Sequence, residues 1–388
     1  MGTTRFTWGK ISSFLMAFIE RVRYRATTKR DERLDLLRGF CMTVMLFDHI
    51  GEDSLLNKLT GDAKFYISAA EGFICISGFI FGVIYRTIGE RDGMSTVWRK
   101  ALHRAFSLYL VMLASTLVLI CGGVIAHLSW TQVSTLSDLG GVLWRVATIQ
   151  QMYRLSRILM MYSLLILVAP VGIWLLRNGR VGLLLAISWA LYIGYQISPR
   201  IFSFPLSVDA YFSPTAYQII FVHLMALGYH RKAVADFFTP QRRLALFVVS
   251  ALSLGAMILV FASEGRIMPQ PLVDPLNFWV GKLFYRDLFR PGRLVAVVAT
   301  VSFAYLLVTY LWTPIQQGLG WLLMPLGSYS LYAYTMHMPF TVLFDWLSPM
   351  WEDHGFLSLL INAIAQVAVL LTIWLMVRRR ILFRIFPN

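Results

Sequence analysis

Long apolar runs alternate with short, polar and mostly basic connections along almost the whole chain. A spanning helix needs about 20 predominantly apolar residues. On that criterion the pattern predicts about ten transmembrane helices, over residues 34–50, 65–88, 103–127, 157–176, 181–197, 214–229, 244–262, 294–312, 322–347 and 356–377. The expected fold class is therefore all-α, a polytopic membrane helix bundle. Three regions follow: a basic amphipathic N-terminal segment 1–29, a membrane domain 30–377 and a basic tail 378–388. Segment 1–29 has the charge of a signal peptide, but Glu20 and Arg21 interrupt its apolar run and no small-residue cleavage site follows. It reads instead as a helix lying on an anionic membrane surface.

The basic connections set an orientation. Arg21, Arg23, Arg25, Lys29 and Arg30, then Arg91, Arg99 and Lys100, then Arg177 and Arg180, Arg231 to Arg243, and Arg378 to Arg380 fall on one side of an even count of spans. The positive-inside rule makes that side cytoplasmic, with both termini there. Glu52, Asp53, Asp62, Glu352, Asp353 and His354 fall opposite, while the loop 263–293 is mixed.

Composition agrees: 57% of the 388 residues are hydrophobic and 14% are charged. A soluble domain of this length could not hide that much apolar surface. The net charge of +15 reads as topology rather than as nucleic-acid binding, and the expected location is the cytoplasmic (inner) membrane. Cys41, Cys75 and Cys121 all lie in apolar runs and read as buried small hydrophobes. No two of the seven histidines stand four residues apart, so no metal site is expected. Phe202, Phe204, Tyr211, Phe212, Trp346 and Trp351 read as interfacial anchors with some capacity to stack on sugars.

Ionisable residues inside the apolar runs carry the candidate chemistry, because a charge in hydrocarbon is costly unless it faces a protein interior or water. The first run holds Asp35 and Arg38 at one end and Asp48 and His49 at the other. At about 1.5 Å of rise per residue, Asp48 and His49 from the first span, Glu71 from the second and His337 from the ninth come to one outer layer, with Ser77 near the middle. Polar residues also serve as interhelical glue, but two histidines and two acids in one layer suit general-base work on a hydroxyl. Arg33, Arg38, Arg86, Arg99 and Arg104 lie at or just inside the opposite boundary. Of these, Arg38 and Arg104 sit within the apolar register, where an anion or a carboxylate such as Asp35 would pair with them.

The run Arg30-Asp31-Glu32-Arg33-Leu34-Asp35-Leu36-Leu37-Arg38-Gly39 with Asp48-His49 resembles the opening of the OpgC family. Further likenesses are Ala69-Ala70-Glu71-Gly72-Phe73 with Ile76-Ser77-Gly78-Phe79, Tyr162 to Pro170 with Trp174-Leu175-Leu176-Arg177, Ser213-Pro214 with Tyr217-Gln218, and Leu326 to Tyr332 leading to His337. The chain departs from the pattern at Gly72 and at Leu110-Val111-Met112 after Tyr109. The resemblance implies an acyltransferase that carries an acyl group, succinyl in that family, from cytoplasmic acyl-CoA to a hydroxyl of an extracytoplasmic glucan or other polysaccharide. Coenzyme A would meet Arg38, Arg86 and Arg104, backed by Asp35 and Arg33. His49, oriented by Asp48, would act as base, with His337 and Ser77 near the oxyanion and Glu71 positioning the sugar or pairing with His337. Beyond donor, acceptor and bilayer, a homo-oligomer is compatible with the sequence. The rival from another class is a proton-coupled transporter of a small anion or sugar, since mid-depth ionisable residues also mark proton relays.

Overall fold

The computed structural model describes residues 17, 19–26, 30–51, 53–61, 64–131, 136–150, 154–202, 213–262, 278–351 and 355–383; every regular element among them is a helix. The principal helices are α1 (Glu32–His49), α2 (Ala69–Ile125), α3 (Arg157–Arg177), α4 (Val181–Ile197), α5 (Pro214–Tyr229), α6 (Pro240–Ala262), α7 (Pro291–Tyr310), α8 (Trp312–Ser328), α9 (Ser330–Leu347) and α10 (Phe356–Arg378). Five of them, α2, α3, α6, α7 and α10, are long and apolar enough to cross a membrane. The chain is thus a multi-pass membrane protein. Helix α1 fails that criterion because Glu32, Arg33, Asp35, Arg38 and Asp48 lie within it, and α4, though apolar, is shorter.

Three predicted spans differ from the observed elements. The runs 65–88 and 103–127 form the single helix α2, broken at Gly93, whose φ of 80° and ψ of 169° lie outside helical space. Only glycine adopts that conformation without a Cβ penalty. The chain reverses there: a Cβ on Gly89 would stand 3.5 Å from Val97, and Arg104 of the second arm acts electrostatically on Tyr85 of the first. The predicted ninth run, 322–347, is instead α8 and α9, divided at Tyr329. Pro325, Gly327 and Ser328 precede the break, and each is a weak helix former.

Helix α1 starts on Asp31, whose carboxylate accepts the backbone N–H of Arg33 at 3.2 Å. It then crosses α8 at near backbone contact: a Cβ on Gly327 would collide with the Asp35 carbonyl, and one on Gly39 with the Leu323 carbonyl. Small residues permit such approaches in membrane bundles. Replacing Gly327 by leucine should cost about 1–3 kcal/mol or more through forced overpacking, seen as a lower unfolding midpoint in detergent. An unchanged midpoint would refute the close crossing. On the other side, α3 runs beside the second arm of α2, with the Ser163 hydroxyl donating to the Ala105 carbonyl at 2.8 Å and the Thr116 hydroxyl to Ser156 at 2.8 Å.

Contacts bring the basic residues to one end of the bundle. Arg38 neighbours Arg104, Arg86 donates to the Tyr229 carbonyl at 2.7 Å, and the Tyr332 hydroxyl donates to the Ile381 carbonyl at 2.6 Å. The C-terminus of α1 points to the opposite end. Helix α6 turns Leu244, Val248, Val249, Leu252 and Leu259 outward, as lipid-facing surface requires.

Candidate active site

At the end of α1, His49 Nδ1 lies 2.9 Å from Nε2 of His337 on α9. The two rings stack at 5.1 Å with 18° between their planes. His337 has no accessible surface, and its Nδ1 is hydrogen-bonded to the Tyr334 carbonyl one turn back. His49 and its chain neighbour Asp48 are partly exposed. The contact between the two imidazoles joins α1 to α9.

The loop that follows is fixed by α10. Gln366 Nε2 stands 3.0 Å from the Phe47 carbonyl, 2.5 Å from that of Ile50 and 2.6 Å from Asn57 Oδ1, while the Ser54 hydroxyl lies 2.8 Å from Gln366 Oε1. Asn362 donates to the Asp53 carbonyl at 2.7 Å and accepts from Trp351 at 2.8 Å. Ser54, Asn57 and Gln366 are all buried; satisfied buried networks of this kind hold one conformation. Asp345 near the mouth accepts the Trp130 indole N–H at 2.9 Å.

The four residues expected in one layer occupy two. Glu71 is fully buried and forms a bidentate pair with Arg293 of α7, at 2.7 and 3.0 Å, while also accepting the Ser68 backbone N–H at 2.7 Å. A Cβ on its neighbour Gly72 would touch Cys41 Sγ at 3.1 Å, and Cys41 precedes His49 by about 12 Å of helical rise. Glu71 thus sits well below the histidines and pairs with Arg293, not His337. Ser77 is deeper still. Its neighbour is the buried Tyr162 hydroxyl, which also faces Arg38 and Cys41, so Ser77 belongs to the lower cluster and not to His49.

Of the basic candidates, two are engaged by the protein itself, and so is the acid expected beside them. Arg33 pairs with Asp31 at 2.7 Å and lies between the Tyr24 and Tyr305 rings, at 4.3 and 4.4 Å. Arg86 pairs with Glu90 at 2.7 Å. Asp35, expected near Arg38, is held by Arg30 at 2.6 Å; that carboxylate raises the Arg30 guanidinium above its ordinary pKa. Arg38 and Arg104 are different. They neighbour each other, and among the described residues neither has an ion-paired carboxylate. Arg38 lies over the Phe73 ring at 5.2 Å, and its buried Nε has no hydrogen-bond partner there. Two adjacent cations in a desolvated interior are costly unless an anion joins them.

Reading by residue type passed over Arg293, Tyr334 and Gln366. Arg293 carried a signal, as a basic residue at the end of the bundle where the positive-inside rule places few. Gln366 and Asn362 also stand four apart in an otherwise apolar run, hence on one helix face. Among the described residues no group of His, Cys, Asp and Glu could hold a metal ion. Glu52, Asp62, Phe204, Tyr211, Phe212, Glu352, Asp353 and His354 lie outside the described residues.

Compared with known proteins, the chain matches the family model described as OpgC protein over residues 30–381. No curated protein and no solved structure matches it.

Proposed function

The chain belongs to the OpgC family, and on that premise we propose that it is a membrane acyltransferase moving an acyl group, succinyl by analogy, from cytoplasmic acyl-CoA to a hydroxyl of an extracytoplasmic glucan. The family is associated with acyltransferase activity and supports a membrane enzyme acting on glucans. Positive-inside bias supports a cytoplasmic basic end, and the membrane of this proposal is the inner one.

One observation supports the donor above the rest: Arg38, which has no ion-paired carboxylate among the described residues, and His49, which is paired with His337, lie on a single helix, α1. Arg38 and His49 are separated by about 16 Å of helical rise. A pantetheine arm, extended from phosphate to sulfur, covers about 16 Å at ordinary bond lengths. With its phosphates at Arg38 and Arg104, coenzyme A would bring the thioester to His49. The same distance excludes Arg38 as reader of a succinyl carboxylate, which lies only about 5 Å from the thioester carbon. Arg86, Arg33 and Asp35 border this path, and Ser77 with Tyr162 lines its middle.

In the reaction, the sugar hydroxyl oxygen attacks the thioester carbonyl carbon while His49 takes the hydroxyl proton. The tetrahedral intermediate then collapses, the C–S bond breaks, and the departing thiolate receives a proton from the imidazolium. Products are the O-acyl ester and free coenzyme A. Asp48, the chain neighbour of His49, lies with it at the exposed end of α1. Glu71, through Arg293, fixes the outer wall formed by α2 and α7.

The test is release of coenzyme A thiol by purified protein given succinyl-CoA with and without glucan. Arg38→Met should raise the KM for the donor about 10–100-fold, the value of a charge-assisted hydrogen bond, with the acceptor KM unchanged. A donor KM equal to that of the unaltered protein would remove Arg38 from the donor site.

A further inference from the structure

We infer that His337 is a positioning residue that fixes His49 in the Nδ1–H tautomer, leaving the lone pair on Nε2 as the base. This deepens the proposed function and rests on it. A carbonyl oxygen only accepts, so the hydrogen between His337 and Tyr334 sits on His337 Nδ1. A second proton on His337 would put a charge where no surface is accessible, which a membrane interior penalises. His337 Nε2 is therefore an acceptor, and the hydrogen in its 2.9 Å contact with His49 belongs to His49 Nδ1. The partner of one ring nitrogen decides the state of the other. Neutral His49 then carries its lone pair on Nε2.

Tyr334 is the origin of this order. Its carbonyl is presented to His337 within one turn of α9, and its hydroxyl is tied to the Leu155 carbonyl at 2.7 Å, which holds α9 against the start of α3. The chain of bonds runs one way, from His49 through His337 to a group that takes no proton. When His49 gains the hydroxyl proton, its Nδ1–H bond to His337 becomes charge-assisted and strengthens. His337 cannot pass the proton on, so it stays on His49 until the thiolate takes it. The arrangement fills the role of the carboxylate in a nucleophile–histidine–acid triad with a neutral acceptor. In such triads the wrong tautomer costs about 10⁴ in turnover.

Glutamine at 337 can copy both bonds, its amide oxygen accepting from His49 and its amide N–H donating to Tyr334; leucine copies neither. In steady-state assays with succinyl-CoA and glucan, His337→Gln should keep kcat within about tenfold, whereas His337→Leu should lose roughly 10²–10³, the range of a misplaced general base. Donor KM should stay within about twofold in both. Both variants should bind non-hydrolysable acyl-CoA with the affinity of the unaltered protein, which excludes misfolding. Nitrogen-15 NMR of histidine-labelled protein, with the His49 signals identified by their loss in His49→Ala, should show a pyridine-like Nε2, turning into a mixture of tautomers in His337→Leu. Equal kcat in the two His337 variants, or an unchanged His49 tautomer in His337→Leu, would overturn the inference. Full activity in His49→Ala would instead overturn the function on which it rests.

Discussion

His49→Ala should leave a folded protein that binds acyl-CoA and transfers almost nothing. General-base catalysis contributes about 10²–10⁴, and no other imidazole takes over, since the His337 ring is fixed by Tyr334 and buried behind His49. The fold should tolerate the change. His49 is partly exposed in the last turn of α1, and the loop beyond it is held by Gln366 rather than by the imidazole. The expected result is a kcat lowered by that factor, with donor Kd and unfolding midpoint close to those of the unaltered protein. Coenzyme A thiol release and a detergent melt measure the two sides. Undiminished turnover would remove His49 from the chemistry.

The second large effect is on stability. Glu71 and Arg293 are 0% and 3% exposed, and their bond joins α2 to α7. Removing one partner leaves the other as an uncompensated buried charge, a loss of about 3–5 kcal/mol. Glu71→Leu or Arg293→Met alone should therefore lower the unfolding midpoint markedly and reduce the protein recovered from membranes. Replacing both should recover much of the loss, because apolar side chains of similar volume often match or exceed a buried ion pair. Unfolding curves of the four proteins form the cycle. Additive losses, with the double variant worst, would show that the pair does not act as a unit.

Much of this site was legible in the sequence because charge in an apolar run is rare and informative. The same reasoning that raised Asp48, His49 and His337 from their neighbours predicted that helices far apart in the chain would bring the two histidines together, and they stand 2.9 Å apart. Depth was harder to read. Counting rise along ideal helices puts Glu71 level with His49, but the neighbouring Gly72 meets α1 at Cys41, so Glu71 falls one layer deeper. Pairing was harder still. Arg30 and Arg38 are both near Asp35 in the chain, and only the start of the helix at Glu32 leaves Arg30 free to fold back onto it. Arg293 lies 222 residues from Glu71, and no local pattern reports such a contact. Tautomers follow from hydrogen-bond direction, which only the relation of His337 to Tyr334 supplies.

In the proposed function a thioester on the basic side of the membrane is consumed by a hydroxyl on the other, through His49. Sealed liposomes with the protein in one orientation, given acyl-labelled succinyl-CoA only on the basic side and glucan only on the opposite side, test it directly. Labelled glucan should appear in the compartment that never held donor, with free coenzyme A left behind and no label transferred by His49→Ala. Label appearing only when donor and acceptor share a compartment, or intact succinyl-CoA crossing without transfer as a transporter would carry it, would contradict it.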